Sequence, residues 1–477
     1  MGGTALLLAI VIAFHVAGIA CALRALMLGR SPPGTVAWIL SLVLVPYLAL
    51  PVYALFGHGK FRGYVVARRA RNEELGRLTR HGAEAIERAG AKLDGAEREP
   101  LVALERLAGF PFTRGNSAKL LIDGPEAFAD MLQGVRQATK YVLVQFYVVR
   151  DDRLGQAFRR VLIDRAAAGV KVHVLYDDIG SENLSSAYVE SLVAGGVSVS
   201  SFNGRKSWFV RHSRINYRNH RKIVVVDGES AWVGGLNIGD EYVHRDPVLS
   251  PWRDTHAHVR GPSALCCQLS FVEDWYWATG DTLELNWEVP TKEVEDRLVL
   301  AMPTGPADEL ATCGLAFVQM ISLARKRVWI ANPYFVPDSA ALSALILAAQ
   351  RGADVRVLLP GRPDHYTAWL ASLSFVPELV HAGVKILLYE RGVLHQKVAL
   401  IDDGLCTVGT ANFDNRSFRI NFEITLAFLD EGFAREVATM LERDFAGARV
   451  VTEDVVRARS FPFRVAVQAC RLLAPVL

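Results

Sequence analysis

The chain has 477 residues, length for about two to four domain-sized units. Hydrophobic residues make up 51% without counting the 38 glycines, whereas soluble domains reach about 45–50% only with glycine included, so a disordered, fibrous or collagen-like chain is excluded. The net charge of 53 − 50 = +3 does not mark a nucleic-acid binder, and six scattered cysteines without a CxxC pair argue against a disulfide framework or a zinc site.

From Gly2 to Leu23 no side chain is charged, and ALLLAIVIAFHVAGIACAL is long enough to cross a bilayer. A second uncharged run extends from Thr35 to Gly57, with Pro46 and Pro51 inside it and Trp38 and Tyr53 near its ends. In a membrane those prolines kink a helix without breaking it, and the aromatic rings favour the headgroup layer. The expectation is a two-helix transmembrane hairpin over residues 1–60, not a cleaved signal peptide, which needs a basic start and a shorter apolar core. Its connecting loop holds Arg24 and Arg30, and the segment beyond holds Lys60, Arg62, Arg68, Arg69 and Arg71. The positive-inside rule then puts that richer cluster, and the large part behind it, in the cytoplasm. Residues 61–107 mix charges with Ala and Leu and read as a solvated linker of short helices.

Beyond Leu107, β-rich runs alternate with amphipathic stretches, the pattern of βαβ units. YVLVQFYVV (141–149), VKVHVLYDD (170–178) and RKIVVVDGESAWVGG (221–235) read as strands, with helices at GVRQATKY and LGQAFRRVLIDRAAAG. RVWIANPYFV, ADVRVLLP and HQKVALIDDGLCTVGT repeat the scheme, with GLAFVQMISLARK and ALSALILAAQRG as helices. The expected fold is therefore α/β, with an internal duplication over residues 108–285 and 293–450 and a C-terminal amphipathic segment over 451–477. That last stretch, FPFRVAVQACRLLAPVL, either lies along a bilayer with Arg464 and Arg471 snorkelling or packs on the body.

Each half carries one cluster. The first reads His220-Arg-Lys222-Ile-Val-Val-Val-Asp227, followed by Gly234-Gly235-Leu-Asn237. The second reads His395-Gln-Lys397-Val-Ala-Leu-Ile-Asp402, followed by Gly409-Thr410-Ala-Asn412. Both are HxKxxxxD with the same tail. In a strand, positions i and i+2 share a face, so each His stands beside its Lys. An imidazole next to an ammonium is poor core material, but the pair suits a phosphate. The Lys neutralises non-bridging oxygens, the His attacks phosphorus or protonates a leaving alcohol, and Asn237 and Asn412 donate to the same oxygens. The Asp, five residues after the Lys, points off that face and is expected to hold backbone or partner side chains.

These motifs resemble the phospholipase D superfamily, and the wider text resembles its bacterial cardiolipin synthase branch. The matching stretches are NYRNHRKIVVVDG, GGLNIGDEY, PWRDTH, NPYFVPD, LHQKVALIDD and GTANFDNRSFRINFE, with AWILSLVLVPYLALPVYALFG in the membrane run. The resemblance implies two duplicated phospholipase D-like halves sharing one active site, with one His from each. One His becomes a covalent phosphohistidine and the other serves as general acid and then base. It gives His220 the nucleophile role and His395 the acid/base role, an order that two near-symmetric motifs leave open. It further implies that Glu423 orients the second-motif His, with Asp254 the counterpart for His220, each fixing an imidazole tautomer. The implied reaction joins two phosphatidylglycerol molecules into cardiolipin and glycerol in a multi-pass bacterial cell membrane. The rivals are a hydrolase, a transferase to another alcohol, a nuclease, and a scaffold without catalysis.

No cofactor is expected. The motifs lack grouped carboxylates, so this chemistry does not require a metal, and His256 and His258 alternate on one strand face without a ligand cluster. GGLNIG is too loose for a dinucleotide fingerprint. The segment from Arg205 to Lys222 interleaves cations with Trp208, Phe209 and Tyr217. Beside a membrane anchor it fits anionic headgroups better than nucleic acid, which is not an expected partner.

Overall fold

The computed structural model describes residues 2–28, 32–57, 73–91, 99–202, 217–289 and 295–476. Two compact units emerge, residues 1–66 with 205–217 and residues 67–204 with 218–477. Arg30, the basic cluster from Lys60 to Arg71, and residues 205–216 of the cation–aromatic segment lie outside the described residues.

In the first unit the uncharged runs form α1 (Gly2–Met27), α2 (Pro32–Leu44) and α3 (Pro46–Phe56). The second run is thus two helices, not the one that was expected. Val45, the residue before Pro46, leaves the helical region at φ −135° and ψ 57°, as the proline ring requires, and Pro46 opens α3 at its first turn. Pro51 is accommodated inside α3. Among the described residues α1 is the one helix long and apolar enough to cross a membrane. Gly18 lets α1 approach α2, since a Cβ there would lie 2.3 Å from the Leu42 carbonyl oxygen. Ala22, Ala25, Leu42, Ala49 and Tyr53 form the small core between the helices, and Trp38 meets Tyr53 edge-on at 5.0 Å. Leu6, Leu7, Ile10, Leu23 and Leu26 face outward from α1, apolar surface that water would penalise and lipid would not.

The second unit is built on one sheet. Its first part supplies β1 (Thr113–Ile122), β2 (Tyr141–Phe146), β3 (Lys171–Tyr176), β4 (Ser198–Ser201), β5 (Ile223–Val226), β6 (Ser230–Gly234), β7 (Trp252–Arg253) and β8 (Thr255–Arg260). The second part supplies β9 (Arg297–Thr304), β10 (Arg327–Ala331), β11 (Phe335–Val336), β12 (Asp354–Pro360), β13 (Lys385–Tyr389), β14 (Val393–Leu394), β15 (Val398–Ile401), β16 (Leu405–Gly409), β17 (Phe413–Asp414), β18 (Glu423–Leu429) and β19 (Ala448–Val450). The order is β19-β13-β12-β10-β15-β16-β18-β9-β1-β8-β6-β5-β2-β3-β4. Read outward from the antiparallel β1–β9 join, the halves are copies, 1-8-6-5-2-3-4 against 9-18-16-15-10-12-13. In each, three parallel strands are linked by helices and three antiparallel strands follow, so the parallel core reads as the near-continuous Val/Ile/Leu runs seen in the sequence.

Helices Asp123–Gln137 and Arg153–Ala167 cover the first half, and Thr312–Leu323 and Ser339–Gln350 the second. The first of these ends at Gln137, short of the predicted reach to Tyr141, because Tyr141 opens β2. Phe146, Phe158, Trp232 and Leu236 center one core, and Phe317, Met320, Phe335 and Phe413 the other. The stretch read as a solvated linker keeps a solvated face where it is described but buries the other. Helix Glu99–Ala108 sends Leu101, Leu104 and Ala108 into the second core, and helix Glu73–Arg88 buries Ala85 and Ile86. Of the two readings of the C-terminus, the body-packed one holds for helix Phe461–Leu472. Val467 is buried, Phe463 meets Trp369 and Arg471 lies over Phe375, while Phe461, Val465 and Leu472 stay exposed.

Candidate active site

Both HxK segments lie just before their strands, not within them, since β5 begins at Ile223 and β15 at Val398. What fixes them is the other half of the molecule. The His220 amide donates to Phe422 O at 2.9 Å, and the Phe422 amide to Arg218 O at 2.9 Å. In mirror fashion the His395 amide donates to Arg253 O at 2.8 Å, and β14 pairs in parallel with β7. The residue after Phe422 is Glu423 and the residue after Arg253 is Asp254, so each pairing delivers a carboxylate to the histidine of the opposite half.

This reverses the expected partners. His220 Nδ1 lies 2.9 and 3.0 Å from the Glu423 oxygens, and His395 Nδ1 lies 2.9 Å from Asp254 Oδ2. The family resemblance joins Glu423 to the second motif and Asp254 to the first. The inter-half backbone bridges overrule it, and neither imidazole is oriented by its own half.

All six groups are buried; Lys222, Asp254 and Glu423 are fully so. Glu423 also accepts from Thr410 Oγ1 (2.6 Å), Ser417 Oγ (2.8 Å) and Asn421 Nδ2 (3.2 Å). Asp254 accepts from the Thr255 amide at 2.8 Å and from Trp252 Nε1 at 3.4 Å. Gly235, in the place that Thr410 takes in the other tail, leaves room for it, since a Cβ there would come within 2.0 Å of Asp254 Oδ1. Lys222 Nζ donates to His220 O at 2.6 Å. Lys397 Nζ bonds His395 O and stands 2.7 Å from His395 Nδ1. Tyr147 meets His220 at 5.0 Å, and Trp252 meets His395 at 5.0 Å, so aromatic walls flank both imidazoles.

Burial controls the charge states. It pushes the His220 imidazole down to about 4 against the opposing pull of Glu423, and it lowers His395, with Lys397 adding to the effect. Burial likewise lowers Lys397 to about 8 and Lys222 further below its ordinary value. The carboxyls are pushed up by burial, but Lys397 and His395 hold Asp254 below the usual range, and His220 and Lys222 do the same for Glu423. Lys397 acts on His220 and Lys222, and Glu423 acts on both lysines. The two motifs thus form one electrostatic unit, each group's charge bearing on the others across the halves.

The motif aspartates hold backbone. Asp227, at φ +55°, accepts from the Thr139, Lys140 and Tyr141 amides at 2.8 Å each. Asp402, at φ +52°, accepts from the Arg325, Lys326 and Arg327 amides. Each ties the hairpin behind its motif to the start of the neighbouring strand, β2 or β10, and Asp tolerates the left-handed turn that this needs. Asn237 has its Oδ1 engaged by the Val148 amide and its Nδ2 by Tyr242 Oη, while Asn412 Oδ1 is buried without a partner. His256 is buried and pushed down to about 4 by that burial; His258 stacks on Trp232 and pairs with Asp130.

Several residues escaped the sequence reading. Arg221, between His220 and Lys222, bonds Asp274 at 2.8 Å and the Glu423 and Thr304 carbonyls, and Asp274 also takes Gln145 and Asn219. Arg253 bonds Asp444 in the other half at 2.8–3.1 Å. The available signal was the density of polar residues in stretches such as GTANFDNRSFRINFE, flanked by strands that must be buried.

The sequence family described as "Cardiolipin synthase, PLD-like domain" matches residues 131–246 and 317–445, and "Phospholipase D-nuclease N-terminal" matches residues 7–58. Cardiolipin synthase A of Pseudomonas aeruginosa is 44% identical over 484 aligned residues, covering 100% of this chain and 97% of that protein. Cardiolipin synthase A of Pseudomonas putida is 45% identical over 476, covering 97% and 96%. Among solved structures, phosphatidylserine synthase of Haemophilus influenzae Rd KW20 superposes with a TM-score of 0.62 over 80% of this chain and 100% of its own, at 14% identity, a likeness of fold. Together with the apolar α1 these matches mark a membrane-associated protein. The chain belongs to the cardiolipin synthase family of phospholipase D-like phosphatidyltransferases.

Proposed function

We propose that the chain condenses two phosphatidylglycerol molecules into cardiolipin and glycerol through a phosphatidyl-histidine. The carrying observation is the crossed carboxylate pairing. Each imidazole presents Nδ1 to a buried anion, which fixes the tautomer and leaves Nε2 for chemistry. Neutral His220, oriented by Glu423, attacks phosphorus with Nε2. The N–P bond forms as the bond to the glycerol oxygen breaks, and His395 gives that oxygen its proton. His395, now a base, takes the proton of the second lipid's terminal hydroxyl. That oxygen displaces His220, so the phosphodiester energy is conserved and no nucleotide is consumed.

Lys222 and Lys397 hold the non-bridging oxygens, competing for ammonium protons that otherwise go to the motif carbonyls. The bound phosphate's negative charge also raises both imidazoles from their depressed values, which lets His395 carry a proton near neutral pH. Asn237 has both ends of its side-chain amide engaged, Oδ1 by the Val148 amide and Nδ2 by Tyr242 Oη, so it donates to the phosphate only alongside or in place of Tyr242. The helices α1 to α3 form the membrane hairpin, with the duplicated part cytoplasmic and divided at residues 108–285 and 293–450.

The test is purified protein in micelles with phosphatidylglycerol alone and EDTA, read by mass spectrometry. Cardiolipin and glycerol in equal amounts, lost in His220→Ala and His395→Ala, are expected. Phosphatidic acid in their place would replace transfer with hydrolysis.

A further inference from the structure

The halves differ at the carboxyl ends of their parallel strands, the edge of such a sheet where ligands bind. In each half a tyrosine follows the first of these strands and turns its ring edge-on to the motif histidine. Tyr147, just after β2, has its ring center 5.0 Å from that of His220, and Tyr334, just after β10, stands 6.1 Å from His395. In each half an aspartate follows the neighbouring parallel strand, Asp177 after β3 and Asp364 after β12. Asp177 is buried and spent on backbone, accepting the Ile179, Gly180 and Asn219 amides at 2.8–3.1 Å. Asp364 is half-buried. Its Oδ2 accepts the Tyr334 hydroxyl, and its Oδ1 accepts the His365 amide at 2.9 Å.

A carboxylate with acceptor capacity to spare thus lies one tyrosine ring away from His395. Two carboxylate oxygens offer about four acceptor sites, of which these two bonds use two, and the Tyr334 oxygen can itself accept. Burial and Asp364 push the Tyr334 hydroxyl well above its ordinary value, so it stays protonated and donates. Asn332 Oδ1, bonded to the Tyr334 amide at 3.2 Å and the Phe413 amide at 3.0 Å, fixes the backbone that carries the ring. Asp364 also pulls His395 and Lys397 upward against their burial, so its charge reaches the reacting end. A carboxylate repels phosphate oxygens and accepts hydrogen bonds from hydroxyl groups. With the motif lysines on the phosphate, this corner suits the uncharged, hydroxyl-bearing part of a headgroup.

We propose that Asp364 and Tyr334 form a polyol subsite, holding the second hydroxyl of the glycerol unit whose terminal oxygen exchanges its proton with His395. The inference rests on the transfer reading above and names what selects the alcohol. The glycerol that leaves and the terminal hydroxyl that enters both react on the side of phosphorus opposite His220, so one subsite serves both steps. Each carries a further hydroxyl on the carbon next to the reacting one. Water carries none, and a subsite for that hydroxyl therefore favors transfer over hydrolysis.

The experiment gives full-length protein in phosphatidylglycerol micelles two neutral primary alcohols at equal concentration, isotope-labelled glycerol and 1-propanol, and follows both headgroup-exchange products by mass spectrometry. In either exchange the entering oxygen bonds to phosphorus as His220 leaves, and its proton goes to His395. The two acceptors differ in the neighbouring hydroxyls, and the ratio of their rates does not depend on how much protein is folded. Wild-type protein is expected to take glycerol in preference. Asp364→Asn is expected to lower the glycerol-to-propanol ratio about tenfold or more, and Tyr334→Phe to lower it less. An equal fall in both rates would overturn the proposal and leave the pair as support for His395 or the fold. An unchanged ratio with both rates intact, or a wild type that takes the two alcohols alike, would overturn it as well. With ethanolamine as a third acceptor, a fall confined to that amine would overturn the polyol assignment and give the carboxylate to an ammonium headgroup. Wild-type protein that yields phosphatidic acid with every alcohol and no cardiolipin would overturn the transfer reading itself, and the subsite with it.

Discussion

The two motif histidines share one backbone plan and differ in how their carboxylates are held. Glu423, facing His220, receives three further side-chain donors from Thr410, Ser417 and Asn421. Asp254, facing His395, is a methylene shorter, stands against Gly235 and relies on the Thr255 amide and Trp252. Lys397 crowds the His395 ring, whereas Lys222 bonds only its motif carbonyl and lies 5.3 Å from the Tyr147 ring center. The lesson is that duplication reproduces strands and motifs faithfully but lets the polar shell around each histidine diverge. That divergence is where distinct nucleophile and acid/base duties have room to arise.

Crossed pairing gives the strongest way to break this comparison. Glu423→Gln removes the anion behind His220, and a loss of about 10²–10³-fold in turnover is expected, with no trapped phosphatidyl-histidine in acid-quenched samples. Asp254→Asn is expected to cost a similar factor by impairing proton transfer at His395. A Glu423→Gln protein that still accumulates the covalent species as fast as wild type would return Glu423 to the second motif.

The tails come next. Gly235→Ala puts a methyl group 2.0 Å from Asp254 Oδ1, with the Asp254 carboxylate bonded to His395. It is expected to lower turnover about 10–100-fold by displacing the carboxylate. Thr410→Gly removes one of four donors to Glu423 and is expected to cost under about tenfold, since Ser417 and Asn421 remain. Equal losses at the two positions, measured as initial rates of cardiolipin formation, would mean the tails are equivalent after all.

How far the sequence carried this is clearest at particular residues. The duplicated HxKxxxxD pattern singled out His220, Lys222, His395 and Lys397, and the fold gathers them into one buried cluster, although the segments lie just before their strands and not within them. The pairing that the resemblance implied failed for Glu423 and Asp254. Their partners are set by the His220–Phe422 and His395–Arg253 bridges between residues far apart in the chain, and periodicity has no access to such pairing. Local reading failed at Val45, where a proline expected to kink one helix divides it in two. The helix Glu99–Ala108 was misread for a related reason. Its charged face is visible in the sequence, but the core that receives Leu101 and Leu104 is assembled from residues beyond 300.

The motif aspartates test a structural, not chemical, likeness between the halves. Asp227 and Asp402 each bind three consecutive amides from a neighbouring strand start. Replacing either by Asn removes the charge and one acceptor oxygen, and about 2–3 kcal/mol of stability is the expected loss, read by denaturant unfolding in micelles. Activity per folded molecule is expected to hold, so a Asp402→Asn protein with full stability and no turnover would give the aspartate a chemical role.

The smallest effect expected is on the pH dependence of stability, and it draws on buried histidines of both halves, His395 included. His173, His220 and His256 are all pushed down to about 4 by burial. Each therefore binds fewer protons in the folded state than in the unfolded chain, where the imidazole titrates near 6.5. Stability is complete above that value and declines as pH falls from about 6.5 toward 4, by about 1 kcal/mol per histidine one pH unit below the unfolded value. His173 lies outside the catalytic cluster, its ring 5.0 Å from Trp275. His173→Gln is expected to remove its share of the slope, measured as unfolding free energy between pH 7 and 5, while leaving the cardiolipin-forming rate per folded molecule in place. A slope unchanged by His173→Gln would place the acid sensitivity in the catalytic cluster, where ionised Glu423 and Asp254 are the groups that acid would have to neutralise.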